Sequence, residues 1–203
     1  MPFVIRLATT ADAEQVRAIY GPVVRDTAIS FEVEPPTVEE MGRRIQTTLE
    51  RFPWLVCESN GQVQGYAYAG PHRARAAYQW SLEVTVYVHA DHRRLGVGRA
   101  VYSSLFKLLA LQGFYNAYAG ITLPNPPSVG FHESIGFQPF ATYREVGYKM
   151  GAWHDVGWWE IALQERETPS RPLTLSEAQA LPGWNAALAT GPSLLTPGAS
   201  QSG

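Results

Sequence analysis

Residues 82–88, Leu-Glu-Val-Thr-Val-Tyr-Val, are apolar or β-branched at nearly every position, the composition of a strand buried on both faces. Asp91 and His92 turn the chain, after which Val101, Leu105, Leu108 and Leu109 recur at helical spacing until Gly113 supplies a left-handed stop. The joint between strand and helix carries Arg93, Arg94, Leu95, Gly96, Val97, Gly98 and Arg99. A helix's first turn leaves several N–H groups without partners, and with the helix dipole they favour an anion placed there. Gly96 and Gly98 have no Cβ, so a phosphate can come close to the backbone. The stretch reads as a diphosphate cradle; the plainer alternative is a capped surface turn with solvated arginines.

Spacing removes two other cradles. A P-loop needs Gly, four residues, then Gly-Lys-Ser/Thr, and no such run occurs. A dinucleotide fingerprint needs a third glycine three positions after Gly98, where Val101 stands. Within 203 residues of formal net charge −2 there is no electrostatic case for nucleic acid, so anion binding must be local. Cys57, the single cysteine, excludes an internal disulfide and fits a reducing compartment; inside Trp-Leu-Val-Cys it reads as core. With no basic, apolar leader and no run of about 18 apolar residues, a soluble cytoplasmic protein without a membrane partner is expected.

Taken in order, the pattern predicts β α α β β β α β α β β. The capping patterns Thr9-x-x-Asp12 and Thr37-x-x-Glu40 open the first two helices, and Gly21-Pro22 should stop or kink the first. Ser59-Asn60-Gly61-Gln62 marks a hairpin. The fold class is therefore α+β, a mixed α/β chain with a mainly antiparallel central sheet flanked by helices and one β-α-β crossover. The ordered domain is expected over residues 1–165. Residues 166–203, rich in Pro, Ser and Gly, form a C-terminal extension with 191–203 as a flexible tail.

Arg-x-x-Gly-x-Gly at a strand-to-helix turn resembles the coenzyme A loop of the GNAT acetyltransferase superfamily, and the element order matches the GNAT acyl-CoA N-acyltransferase fold. Six further runs, at residues 54–56, 65–71, 83–88, 123–128, 132–137 and 149–156, make the chain similar to the phosphinothricin N-acetyltransferase family from about residue 3 to 163. The resemblance implies acetyl transfer from acetyl-CoA to the α-amino group of a small amino-acid analogue such as phosphinothricin, methionine sulfoximine or methionine sulfone. It also implies a homodimer, for which residues 153–159 are a candidate contact. On the same footing, Val86, Tyr87 and Val88 would pair with the pantetheine arm, residues 94–99 would hold the diphosphate, and Asn125 would touch the coenzyme. Pro126-Pro127 departs from the single proline usual after that asparagine. Other readings are a GNAT enzyme acting on another primary amine, such as a peptide N-terminus, and an acyl-CoA-binding sensor without turnover.

Acetyl transfer needs a neutral amine, hence a general base, and Glu83 is a lone carboxylate in an otherwise apolar strand, where partial desolvation would strengthen it as a base. Period-two alternation puts Glu83, Thr85 and Tyr87 on one face. His132 stands where many GNAT proteins carry a tyrosine proposed to protonate the leaving thiolate; a packing role is the alternative. Arg73, with Ala74 and Arg75, precedes the central strand and offers guanidinium groups to substrate oxygens, and Phe31 is a candidate pocket wall. The spacing of His72, His89, His92, His154 and Asp155 suggests no metal site.

Overall fold

The computed structural model describes residues 3–195. One seven-stranded sheet has the order β1-β2-β3-β4-β5-β7-β6, built from β1 (Val4–Leu7), β2 (Trp54–Ser59), β3 (Gln62–Pro71), β4 (Ser81–Val88), β5 (Asn116–Leu123), β6 (Gln138–Lys149) and β7 (Ala152–Ala162). Every pairing is antiparallel except β4 with β5, which are joined through the crossover helix α3 (Val97–Leu111). The α+β class, the antiparallel bias and the element order through β7 match the sequence expectation; two short helices follow β7.

That one parallel pairing is short. It extends only over Ser81↔Asn116, Leu82↔Ala117 and Glu83↔Tyr118. Beyond it, β4 keeps its full register with β3 and β5 keeps its own with β7, so the inner edges of residues 84–88 and 119–123 have no strand beside them. Backbone amides and carbonyls on such an edge need another partner, because leaving them unpaired away from water costs free energy.

Two cores lie on opposite faces. Leu82 and Val84 of β4 pack with Val97, Val101, Leu105, Leu108 and Leu109 of α3. The other face meets α1 (Ala13–Asp26) and α2 (Val38–Leu49) through Val16, Val24, Met41, Ile45, Trp54 and Tyr66. α1 does not stop at Gly21-Pro22 but contains Pro22 and continues to Asp26. Val23 and Val24 are buried there, and their packing offsets the lost amide hydrogen bond.

The loop between α1 and α2 is pinned from several directions. Tyr20 Oη donates to Glu32 Oε1 at 2.8 Å, and Arg44 binds both Glu32 oxygens at 2.7 and 3.1 Å. From the far end of β6, the buried Lys149 Nζ donates to the carbonyls of Val24 at 2.6 Å and Ser30 at 2.7 Å.

Residues 168–195 are not a loose extension. They include α5 (Leu175–Gln179) and α6 (Trp184–Ala189), and Leu175, Ala178, Trp184 and Leu195 are buried in the α3 core. The expected flexible tail is corrected for 191–195, where Gly191 and Leu195 are buried; its remainder, 196–203, lies outside the described residues.

Replacing Lys149 by Met removes a cation from two buried carbonyls and leaves them without a donor. K149M should lose about 2–4 kcal/mol in urea unfolding, about the cost of stranding two buried polar groups.

Candidate active site

Glu83 is the last residue of β4 that pairs with β5, so its carboxylate stands where the strands part. By the alternation of the pleat it shares the α1/α2 face with Thr85 and Tyr87. Thr85 is paired with Tyr68 across β3, and Tyr87 lies edge-on to Tyr20 with ring centroids 5.0 Å apart. Val86 and Val88 point to the other face and pack on the α3 core.

One carboxylate oxygen carries two contacts: Glu83 Oε1 accepts from Arg73 Nη1 at 3.1 Å and lies 3.1 Å from His72 Nδ1. Among the described residues Oε2 has no hydrogen-bond partner. The carboxylate is only partly withdrawn from water. The Glu83 side chain is 39% exposed, because the strand beside it diverges and its nearest partners are a guanidinium and an imidazole.

The sequence reasoning missed His72 as a neighbour of Glu83. The β3–β4 register pairs Gly70 with Glu83, so residue 72, two further along, returns to the same face. Its N–H donates to the Ser81 carbonyl at 3.4 Å, and its ring stacks on Tyr118 of β5 at 4.5 Å. Arg73 also reaches Tyr143 Oη at 3.4 Å and lies 5.9 Å over the Trp158 ring.

Ala74 and Arg75 line an adjacent cavity of about 210 Å³ with Arg51, Arg73, Tyr78 and Ser81. A larger cavity of about 320 Å³ lies over β2 and β3, one strand removed from Glu83, and no residue lining it belongs to the predicted set. Phe31, part-exposed, tilts against His154 at 6.3 Å and packs over the backbone of Gly147, where any Cβ would collide with its ring.

At the other end of the exposed strand edge stands the N-terminus of α3. Gly96 has φ +84° and Arg94 φ +65°, both left-handed, and the first helical bond runs from Ala100 N–H to the Gly96 carbonyl at 2.9 Å. The amides of Val97, Gly98 and Arg99 precede that bond and are available to an anion. Arg93, Arg94 and Leu95 are exposed beside them, whereas Val97 is buried. Gly98 has a further reason to be glycine, since a Cβ there would lie 3.2 Å from Phe131 Cζ of α4 (Pro126–Ser134). Arg99 donates to the Ser134 carbonyl at 3.1 Å, tying the start of α3 to the end of α4. The cradle and the bare edge of β4 together fit an elongated thioester coenzyme with a diphosphate at one end. Residues 83–88 span about 17 Å, the scale of an extended pantetheine arm.

Asn125 caps α4 by accepting from Ser128 N–H at 3.3 Å. One turn on, His132 is buried, with its Nδ1–H donating to the Ser128 carbonyl at 2.8 Å and Tyr102 Oη 3.4 Å from its Nε2. Tyr102, Phe131 and Phe137 surround the ring. Burial holds the imidazole below its ordinary value, with the Ser128 hydrogen bond opposing. Cys57 is fully buried, and burial pushes its thiol up to about 12, so no thiolate is offered for a covalent acyl intermediate. Among the described residues no three His, Cys, Asp or Glu side chains group as metal ligands, and no helix is long and apolar enough to cross a membrane.

A family profile described as an acetyltransferase (GNAT) domain matches residues 5–158. The chain belongs to the GNAT acetyltransferases, and within them to the phosphinothricin N-acetyltransferase family. It is 44% identical to the phosphinothricin N-acetyltransferase of Streptomyces viridochromogenes over 85% of this chain and 96% of that protein. It is 34% identical to an L-methionine sulfoximine/L-methionine sulfone acetyltransferase of Salmonella typhimurium, over 81% and 97%. The phosphinothricin acetyltransferase from Sinorhizobium meliloti, solved in complex with acetyl-CoA, superposes with a TM-score of 0.80 at 30% identity, covering 85% of this chain and 96% of that one.

The His132 environment has a consequence on the acid side. The fold binds this proton less tightly than the unfolded chain does, so the contribution is complete above the free value of 6.5 and is lost as pH falls through the lower folded value. Between about pH 7 and pH 5, above most carboxylate titrations, wild-type urea midpoints should fall more steeply than those of His132→Asn.

Proposed function

We propose that this acetyltransferase moves the acetyl group of acetyl-CoA to the α-amino group of a small amino-acid analogue of the phosphinothricin, methionine sulfoximine or methionine sulfone kind, by direct transfer in a ternary complex. The observation that carries this reading is Glu83 at the point where β4 and β5 part, its Oε1 occupied by His72 and Arg73 and its Oε2 without a partner among the described residues.

Acetyl-CoA supplies a thioester carbonyl and a thiolate leaving group. Residues 93–99 hold its diphosphate through the amides of Val97, Gly98 and Arg99 with Arg93 and Arg94 alongside. The edge of β4 at Val86, Tyr87 and Val88 takes the amides of the arm, and Asn125 lies at the start of α4 near the same mouth. Glu83 accepts a proton from the substrate ammonium through Oε2, while His72 and Arg73 fix the carboxylate's orientation. A backbone N–H on the same edge is the donor for charge developing on the carbonyl oxygen. Arg73 and Arg75, with Ala74 between them, receive the substrate's carboxylate, phosphinate or sulfone oxygens in the cavity they share with Arg51. Thr85 and Phe31 bound the amine's side of the cleft. Of the two roles open to His132, the enclosed neutral imidazole favours holding α4 in place over protonating the thiolate.

A second copy of the chain is the proposed partner. The β6–β7 hairpin leaves Phe140, Tyr148, Met150 and Trp153 exposed at the sheet edge, an apolar surface suited to a homodimer. Cytoplasmic residence belongs to the same reading.

Thiol release from acetyl-CoA with phosphinothricin or methionine sulfoximine as acceptor tests the assignment. Glu83→Gln should lower kcat/KM at least about 100-fold at neutral pH, with the deficit shrinking at high pH as free amine accumulates. Superimposable pH profiles would remove Glu83 as the base. Arg75→Ala should raise the amine KM about tenfold with kcat nearly unchanged, the signature of a lost binding contact.

A further inference from the structure

The C-terminal segment runs back along the coenzyme helix from its end to its beginning. At the far end of α3, Leu173 N–H donates to the Gln112 carbonyl at 2.7 Å, and Gln112 Nε2 donates to the Leu173 carbonyl at 3.1 Å. Two turns closer to the cradle, Ser104 Oγ donates to the Leu188 carbonyl at 2.7 Å and accepts from Gly191 N–H at 2.9 Å. At the near end Leu195 is buried, with Cδ2 3.5 Å from the position a Cβ on Gly96 would occupy.

Ser104 and Gln112 are fully buried polar residues on an otherwise apolar helix face. Both of the Ser104 hydrogen bonds go to the extension, while Gln112 Nε2 bridges the Leu173 carbonyl and the Arg51 carbonyl at 3.0 Å, so the extension supplies partners to both buried polar groups. Gly191 fits for a related reason: a Cβ there would collide with the Ala100 carbonyl and approach Ile5 Cδ1 at 2.5 Å. The extension is therefore built into α3, although the two relatives described above cover only 81% and 85% of this chain while spanning 96% and 97% of their own length.

We propose that residues 168–195 are a positioning strap for the diphosphate cradle, and that Leu195 is the positioning residue at its tip. The left-handed turn at Arg94 and Gly96 is exposed to water on the side where an anion would arrive. Leu195 fills the space against Gly96 and limits how far that turn can fluctuate before an anion is bound. Pre-ordering of this kind strengthens binding by removing an entropic cost, with no new contact to the ligand. It acts on the diphosphate end alone, leaving the thioester end and the amine site untouched.

This inference rests on the reading of residues 93–99 as the diphosphate site, and S-acetylpantetheine, which lacks the nucleotide and diphosphate, separates the two. The wild-type protein should use acetyl-CoA at a much lower KM than S-acetylpantetheine; equal KM values would overturn the cradle itself. Leu195→Ala should raise the acetyl-CoA KM about fivefold, while kcat, the amine KM and the S-acetylpantetheine KM stay as in wild type. Leu195→Met, of similar volume, should restore the acetyl-CoA KM. Ser104→Ala should shift the acetyl-CoA KM in the same direction. Thr174→Ala, which removes the N-cap of α5 far from the cradle, should lower the melting temperature without moving any KM. A wild-type acetyl-CoA KM in Leu195→Ala accompanied only by a lower melting temperature would overturn the strap and leave the extension a stabiliser.

Discussion

The molecule is organised by a pairing that is broken off early. β4 and β5 run parallel for three residue pairs and then separate, each already satisfied on its outer side by β3 and β7. Parallel strands joined through a helix ordinarily continue as a ladder, since every residue added closes hydrogen bonds. Here the ladder stops at Glu83 and Tyr118, leaving a wedge whose walls are strand edges. The start of α3 stands at its mouth, linked to the second half of α4 by Arg99 to Ser134 and by the contact of Gly98 with Phe131. A wedge of this form suits an extended chain with amides of its own, anchored by an anion at the open end.

The two faces of the sheet divide the labour. The α3 face is a continuous apolar core, so the strand edge above it is held rigid by packing that extends to the C-terminal segment. The α1/α2 face carries the polar chemistry, with Tyr20, Glu32 and Arg44 fixing the loop and Lys149 clamping it from the end of β6. Glu83 belongs to both, on a strand fixed from below with a side chain that opens above. His72 stacked on Tyr118 closes the vertex of the wedge beside it.

What the sequence disclosed follows from how local each determinant is. The strand, the turn and α3 were legible because period-two and helical repeats, a glycine needing positive φ and a basic run all lie within some thirty consecutive residues. The His72–Glu83 contact was not, because it depends on the register of two strands. Nor was Lys149, whose carbonyl partners lie 119 and 125 residues away. The helix through Pro22 was missed because burial of Val23 and Val24 outweighs a local breaker. The docked extension was missed because its helices are short and its contacts with α3 run partly through Ser104 and Gln112, polar positions that a hydrophobic pattern passes over.

The most direct measurement is a crystal structure of the protein with acetyl-CoA bound. The account predicts the diphosphate on the amides of residues 97–99, the arm lying along residues 86–88 with β4 and β5 still parted, and the thioester within reach of the Glu83 carboxylate. Phosphates bound elsewhere, or a β4–β5 ladder zipped shut past Glu83, would contradict it.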